Sequence, residues 1–261
     1  MLISLKHKLA FLAVPKTGTT AIEAAFRKHS QITFRGSTNI KHTNAEGFDT
    51  FLRPFLAMAG FPDIQSFAVM RDPIDHLQSW YFYRRRLDEG SKPRNIPNST
   101  KDITLEQFIE DFLSEPRPKH AIIGSQARFL CGGSWQAGDT VKPLVDIIFP
   151  YERLNDAISF VVDRVGEPIT VERKNASKRE AVAIAPALLA RLEARLAPDI
   201  ALYRRVQAGE FLPHTPHALA RLHSAGKGAG PGGKRRMGRE EGKAKSGAQA
   251  GGKARRAVTG A

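Results

Sequence analysis

The chain has 261 residues, 41% of them hydrophobic and 25% charged, enough apolar material for one large core or two small ones, which excludes wholesale disorder. Its 40 Lys+Arg against 26 Asp+Glu give a formal charge of +14 and a pI near 10.2, a balance that favours an anionic partner: nucleic acid, phosphate or a membrane surface. A single cysteine, Cys131, excludes an intramolecular disulfide and any multi-cysteine zinc site, and a reducing compartment is the simple reading.

The charge is unevenly placed. Residues 214–261 hold 11 Lys+Arg and 2 Asp+Glu, a charge of +9, leaving +5 for residues 1–213. The same stretch has 11 of the 22 glycines and none of the 21 aromatics, so it cannot bury enough surface to offset its chain entropy. The expected organisation is a globular domain over 1–213 and a disordered, basic Gly/Ala/Lys/Arg-rich tail over 214–261. Near the N-terminus, Lys6 and Lys8 precede an apolar stretch, Leu9 to Val14, that stops at Pro15. It is too short for a signal peptide, and no run approaches the ~20 apolar residues of a membrane span. The expectation is a soluble cytoplasmic protein.

In chain order, Leu9–Val14 reads as a strand buried on both faces, the first central strand of a parallel sheet. After the turn Pro15-Lys-Thr-Gly-Thr-Thr20, an apolar face of Ala21, Ile22, Ala24, Ala25 and Phe26 predicts a helix from Thr19 or Thr20. A helical segment near 46–59 precedes a second apolar run, Ser66–Met70, which leads through Arg71-Asp72-Pro73 into an amphipathic helix over Ile74–Arg86. Asp72 is its N-cap and Pro73 its first residue. Residues 88–103 read as an exposed loop and 104–114 as a helix. A third unit has Leu144–Phe149 as strand and Leu154–Val165 as helix, and a last helical segment covers 186–207. Three strand-to-helix units describe an α/β layer fold with a mostly parallel sheet flanked by helices.

The first turn carries chemistry. A buried strand running into Lys16-Thr17-Gly18-Thr19-Thr20 and then a helix gathers backbone N–H groups, hydroxyls and an ammonium at one point, an anion site. The nucleoside-triphosphate loop, with Gly-Lys-Ser/Thr at its end, is not matched, because Lys16 comes two residues before Gly18. The segment Phe11–Thr20 instead resembles the 5′-phosphosulfate loop of the sulfotransferases, and Val69–Tyr83 resembles their 3′-phosphate segment, an Arg-Asp-Pro with a serine eight residues after the arginine. The Ser-Trp-Tyr continuation is most similar to the bacterial branch related to carbohydrate sulfotransferases. The resemblance implies a P-loop-NTPase-like three-layer fold and 3′-phosphoadenosine 5′-phosphosulfate as donor. Lys16, Thr17, Gly18, Thr19 and Thr20 would hold its 5′-phosphosulfate, and Arg71 and Ser79 its 3′-phosphate. Arg173–Arg179 resembles a late Asn-Ala-Ser stretch of this branch, which assigns nucleotide contacts to Lys178 and Arg179.

Sulfuryl transfer to a hydroxyl needs aligned attacking and leaving oxygens and a cation on the developing negative charge. Lys16 is the lysine within the turn and takes that role. Of eight histidines, His42 is the candidate base: Ile40-Lys-His-Thr43 lies between the two motifs, after a Gly/Ser/Asn-rich turn. His76 reads as packing or capping, and the scatter of histidines gives no metal-ligand spacing, so no metal is expected. Arg84-Arg-Arg86 is either a solvated helix end or an acceptor contact, and Ser125–Leu130 either an acceptor wall or a core helix. The expected function is transfer of a sulfuryl group to a hydroxyl of a carbohydrate-like acceptor. A kinase-like phosphotransferase would place its lysine next to the helix and add a magnesium-binding carboxylate. A nucleic-acid binder would interleave its charges with aromatics, which the tail does not.

Overall fold

The computed structural model describes residues 1–86, 97–167 and 183–213. A five-stranded sheet of order β3-β1-β2-β4-β5 forms the centre. Its strands are β1 (Leu2–Ser4), β2 (Leu9–Phe11), β3 (Ile32–Thr33), β4 (Gln65–Met70) and β5 (Ile147–Pro150). β2, β4 and β5 pair in parallel, whereas β1 is antiparallel to both β2 and β3. The short strands β1 and β3 extend the sheet beyond the three strands read from sequence.

Period-two alternation explains why the sheet is covered on both sides. Ala10, Leu12, Ala68, Met70 and Ile148 join one buried cluster, while Leu9, Phe11, Phe67, Val69, Ile147 and Phe149 join another. The second cluster is closed by α1 (Thr19–Phe26) and α8 (Leu154–Val165). The first is closed by a helix built from α3 (Ala45–Gly47), a π turn over Phe48–Leu52 and α4 (Arg53–Met58), together with α7 (Gln126–Cys131) and α10 (Ala197–Gln207). The four-residue α2 (Thr38–Lys41) precedes α3. A third cluster joins α5 (Pro73–Arg85), α6 (Leu105–Leu113) and α9 (Pro186–Arg195).

Where boundaries differ from the sequence reading, backbone chemistry gives the reason. The first strand stops pairing after the Leu12 N–H donates to the Phe67 carbonyl at 2.9 Å, because Val14 N then turns back onto the Leu12 carbonyl at 3.0 Å. The third begins at Ile147 instead of Leu144, whose N–H is held by the Leu130 carbonyl of α7. The 186–207 segment is two helices. Pro198, in the first turn of α10, has no N–H to continue α9. Pro54 likewise cannot donate to the Thr50 carbonyl, and the wider π turn, closed by Arg53 N–H on the Phe48 carbonyl, precedes it. Residues 88–96 of the expected loop and the whole 214–261 tail lie outside the described residues. Among the described residues no helix is long and apolar enough to cross a membrane.

Candidate active site

The carboxyl ends of β2, β4 and β5 meet three chain crossings, the place where open α/β sheets take ligands. Beyond β2 the backbone is forced into two left-handed conformations, Lys16 at φ 66° and Gly18 at φ 76°. Gly18 is required twice over. Its φ favours glycine, and a Cβ there would lie 2.8 Å from Leu154 Cδ2 and 3.1 Å from Tyr151 Cε2. Lys16 takes this region without being glycine, as Lys8 does at φ 52° in the turn between β1 and β2.

The loop is pinned through its carbonyls. His42 Nδ1 donates to the Ala13 carbonyl at 2.6 Å, Thr17 Oγ1 to Val14 at 2.9 Å, His76 Nε2 to Pro15 at 3.0 Å and Arg71 Nη1 to Lys16 at 3.2 Å. Four successive carbonyls thus face donors within the protein, and their negative ends do not confront an incoming anion. The helix that follows is left open in the opposite sense: α1 has Gly18 as N-cap, no side-chain cap and no acidic residue in its first turn. Orphan N–H donors and the positive end of the helix dipole suit that terminus to an anion. Thr19 is half-buried and Thr20 exposed there, while Thr17 is fully buried and spends its hydroxyl on the loop itself. The Lys16 ammonium lies 4.1 Å from the centre of the Tyr83 ring on α5, a cation–π contact that brings it over the loop's neighbour helix.

Arg71 closes the other side. It is buried at the end of β4, its Nε on Asp75, its Nη1 on the loop and its guanidinium 4.3 Å over the Tyr151 ring. The backbone of Arg71 is clamped by Gln126 of α7, which accepts from Arg71 N at 3.0 Å and donates to its carbonyl at 2.8 Å. Ser79 is buried in the second turn of α5. Lys16, Thr17, Gly18, Thr19, Thr20, His42 and Arg71 therefore meet around one loop, and the Arg71–Lys16 hydrogen bond joins the two sequence motifs directly. Lys178 and Arg179 lie outside the described residues.

The two histidines that hold the loop, His42 after α2 and His76 on α5, both donate to its carbonyls, so each must carry its proton on the bonded nitrogen. Burial lowers the His42 pKa below the ordinary imidazole value, against the smaller opposing effect of its bond to Ala13. The neutral ring therefore has its lone pair on Nε2. His76 is more deeply buried, and burial lowers its pKa to about 4, which makes it a neutral strut.

Sequence reasoning missed Tyr151, Tyr83 and Gln126. Tyr151 touches both Gly18 and Arg71, and its place just past the carboxyl end of β5 is the signal that could have found it. Arg84 is neither a solvated end nor an acceptor contact here. It is buried and donates to the carbonyls of Lys119, His120 and Ile122, tying α5 to the segment before α7, while Arg85 donates to the Tyr81 hydroxyl. Ser125–Leu130 is mainly a core helix that also props Arg71.

No curated protein and no solved structure matches the chain. A family model described as "Sulfotransferase family" matches residues 1–205, the span that holds the loop, Arg71, Ser79, His42 and Tyr151. On that match the chain belongs to the sulfotransferase family and is a transferase.

Proposed function

We propose that the protein moves a sulfuryl group from 3′-phosphoadenosine 5′-phosphosulfate to a hydroxyl of a carbohydrate-like acceptor by in-line displacement. The observation that carries this reading is the junction of the uncapped α1 N-terminus, with the loop carbonyls of residues 13–16 tied down, and the Arg71 guanidinium one hydrogen bond away. An anion with two charged ends suits that pair. Such a donor, when bound, supplies an activated sulfuryl group on a phosphate leaving group. The α1 N–H groups, Thr19, Thr20 and the Lys16 ammonium hold the phosphosulfate end, and Gly18 lets the backbone approach it. Arg71 and Ser79 hold the 3′-phosphate, with Lys178 and Arg179 as further nucleotide contacts.

His42 Nε2 takes the acceptor's proton as its oxygen bonds to sulfur, and Lys16 stabilises the bridging oxygen as the sulfur–oxygen bond breaks. The buried Nδ1–H bond to Ala13 fixes the tautomer this needs, and the lowered pKa keeps the ring unprotonated at neutral pH. No covalent enzyme intermediate is required.

The test is retention on immobilised adenosine 3′,5′-bisphosphate, with elution by that nucleotide but not by ATP with magnesium, followed by transfer of labelled sulfate from the donor to glycans. Elution by ATP, or passage straight through the column, overturns the donor assignment; transfer to non-carbohydrate hydroxyls alone overturns the acceptor class.

A further inference from the structure

The helix running from α3 through the π turn to α4 is apolar on two opposite faces. Phe48 and Leu56 point into the core, with Leu52 packed against it. On the other side Phe51, Phe55 and Met58 are 72%, 57% and 83% exposed, and their four- and three-residue spacing puts them in one stripe. From Pro54 to Pro62 the sequence has no charged residue. With the inner face already in the core, the outer apolar stripe calls for a second covering surface, and contiguous exposed patches of this kind mark docking sites.

Charge selects the occupant. A second copy of the chain would bring +14 against +14, whereas an anionic surface is complementary. The carboxylates flanking the stripe do not oppose this, because Asp49 is paired with Arg53 at 2.9 Å and Asp63 with Lys8 at 3.1 Å. The described chain ends at Pro213, just past Phe211, which packs against the same core cluster as Phe48, Leu52 and Leu56. From there continue 48 residues carrying 11 Lys+Arg and 2 Asp+Glu. Stable attachment to a bilayer surface takes two signals, an inserted apolar element and a polybasic segment, and this chain has both. We infer that the Phe51/Phe55/Met58 face, aided by the basic 214–261 tail, docks the protein on an anionic lipid bilayer. Arg53, on the same helix, bonds to the Ile64 carbonyl, Ser66 and Asp146 at the amino ends of β4 and β5. The docked face therefore sits toward the end of the sheet opposite the Lys16–Arg71 site, which stays open.

The experiment is co-sedimentation of the full chain with phosphatidylcholine vesicles and with vesicles that also contain phosphatidylglycerol. Binding is expected only with the anionic lipid, and to fall with added salt. The triple variant Phe51→Ser/Phe55→Ser/Met58→Ser should lower the partition coefficient by about tenfold or more, as should removal of residues 214–261, with the unfolding midpoint of the triple variant unchanged. Phe55→Ser alone should give a smaller loss in the same direction. The proposal is overturned if the full chain ignores both vesicles, if the serine variants bind as the parent does, or if the parent is a dimer that the serine substitutions make monomeric.

Discussion

Two strand-to-helix crossings of the same sheet, β2 into α1 and β4 into α5, finish in opposite ways. At β4–α5 the helix start is sealed from within: the Asp72 carboxylate accepts from Ile74 N at 3.0 Å and Asp75 N at 2.9 Å, and Pro73 fills the first helical position. At β2–α1 the cap is Gly18, with no side chain to offer, and the backbone is held in left-handed turns by donors that all act on carbonyls. The contrast separates stability from function. The sealed end spends its first-turn N–H groups on Asp72, and the open end leaves its N–H groups to a ligand.

Removing charge at the open end should have the largest effect. Lys16→Ala is expected to lower single-turnover sulfuryl transfer at least about a thousandfold, with the unfolding midpoint close to that of the parent because the side chain is only half-buried. An unchanged rate would place the transition-state cation elsewhere. His42→Ala should cost about a hundredfold, the low end of what a positioned base supplies, while binding of adenosine 3′,5′-bisphosphate is preserved. The pH profile sharpens this. Since burial depresses the pKa of His42, kcat/KM of the parent should fall on the acid side only below the usual imidazole range, and the variant should lose that limb.

The second histidine of the loop provides the next contrast, because it is expected to act on stability and not on the proton. Folded His76 has its pKa lowered from 6.5 to about 4 by burial. In that window the unfolded chain binds a proton that the folded one refuses, so the His76 contribution to stability falls as pH drops from 6.5 toward 4 and is flat above 6.5. The full shift corresponds to about 3 kcal/mol at most. Urea unfolding of the parent and of His76→Gln, whose amide can still donate to the Pro15 carbonyl, checks this. The variant should have a shallower acid slope, the remainder coming from His42 and His29, whose pKa values burial also lowers, and should keep its sulfuryl-transfer profile.

Much of this architecture was legible in the residues. Continuous apolar runs marked β2, β4 and β5, Asp72-Pro73 marked the start of α5, and Lys16–Thr20 marked the tight turn from β2 into α1, because each is a local signal. β1, the three-residue hairpin partner of β2, is too short to show an alternation, while β3 is two residues long and exists through long-range pairing with β1, which no local pattern encodes. The same holds for Gln126 on Arg71 and for Tyr151 between Gly18 and Arg71. Those contacts join residues that are far apart in the chain. Arg84 shows how a charge run misleads: the helix dipole explains a cation at this end, but three carbonyls around a buried guanidinium decide what it does.

The sealed crossing should respond least, and in stability alone. Asp72→Ala removes the acceptor for two first-turn N–H groups of α5, a loss of about 1 kcal/mol read as a lower urea midpoint with unchanged slope. Arg71 is held independently of that cap by Gln126 on its backbone and by Asp75, Tyr151 and the Lys16 carbonyl on its side chain. Affinity for adenosine 3′,5′-bisphosphate should therefore hold within about twofold, a change of roughly 0.4 kcal/mol. A large loss of nucleotide affinity in this variant would mean that the cap, and not the clamp, sets the guanidinium, and the division between a structural and a functional crossing would fail at its structural side.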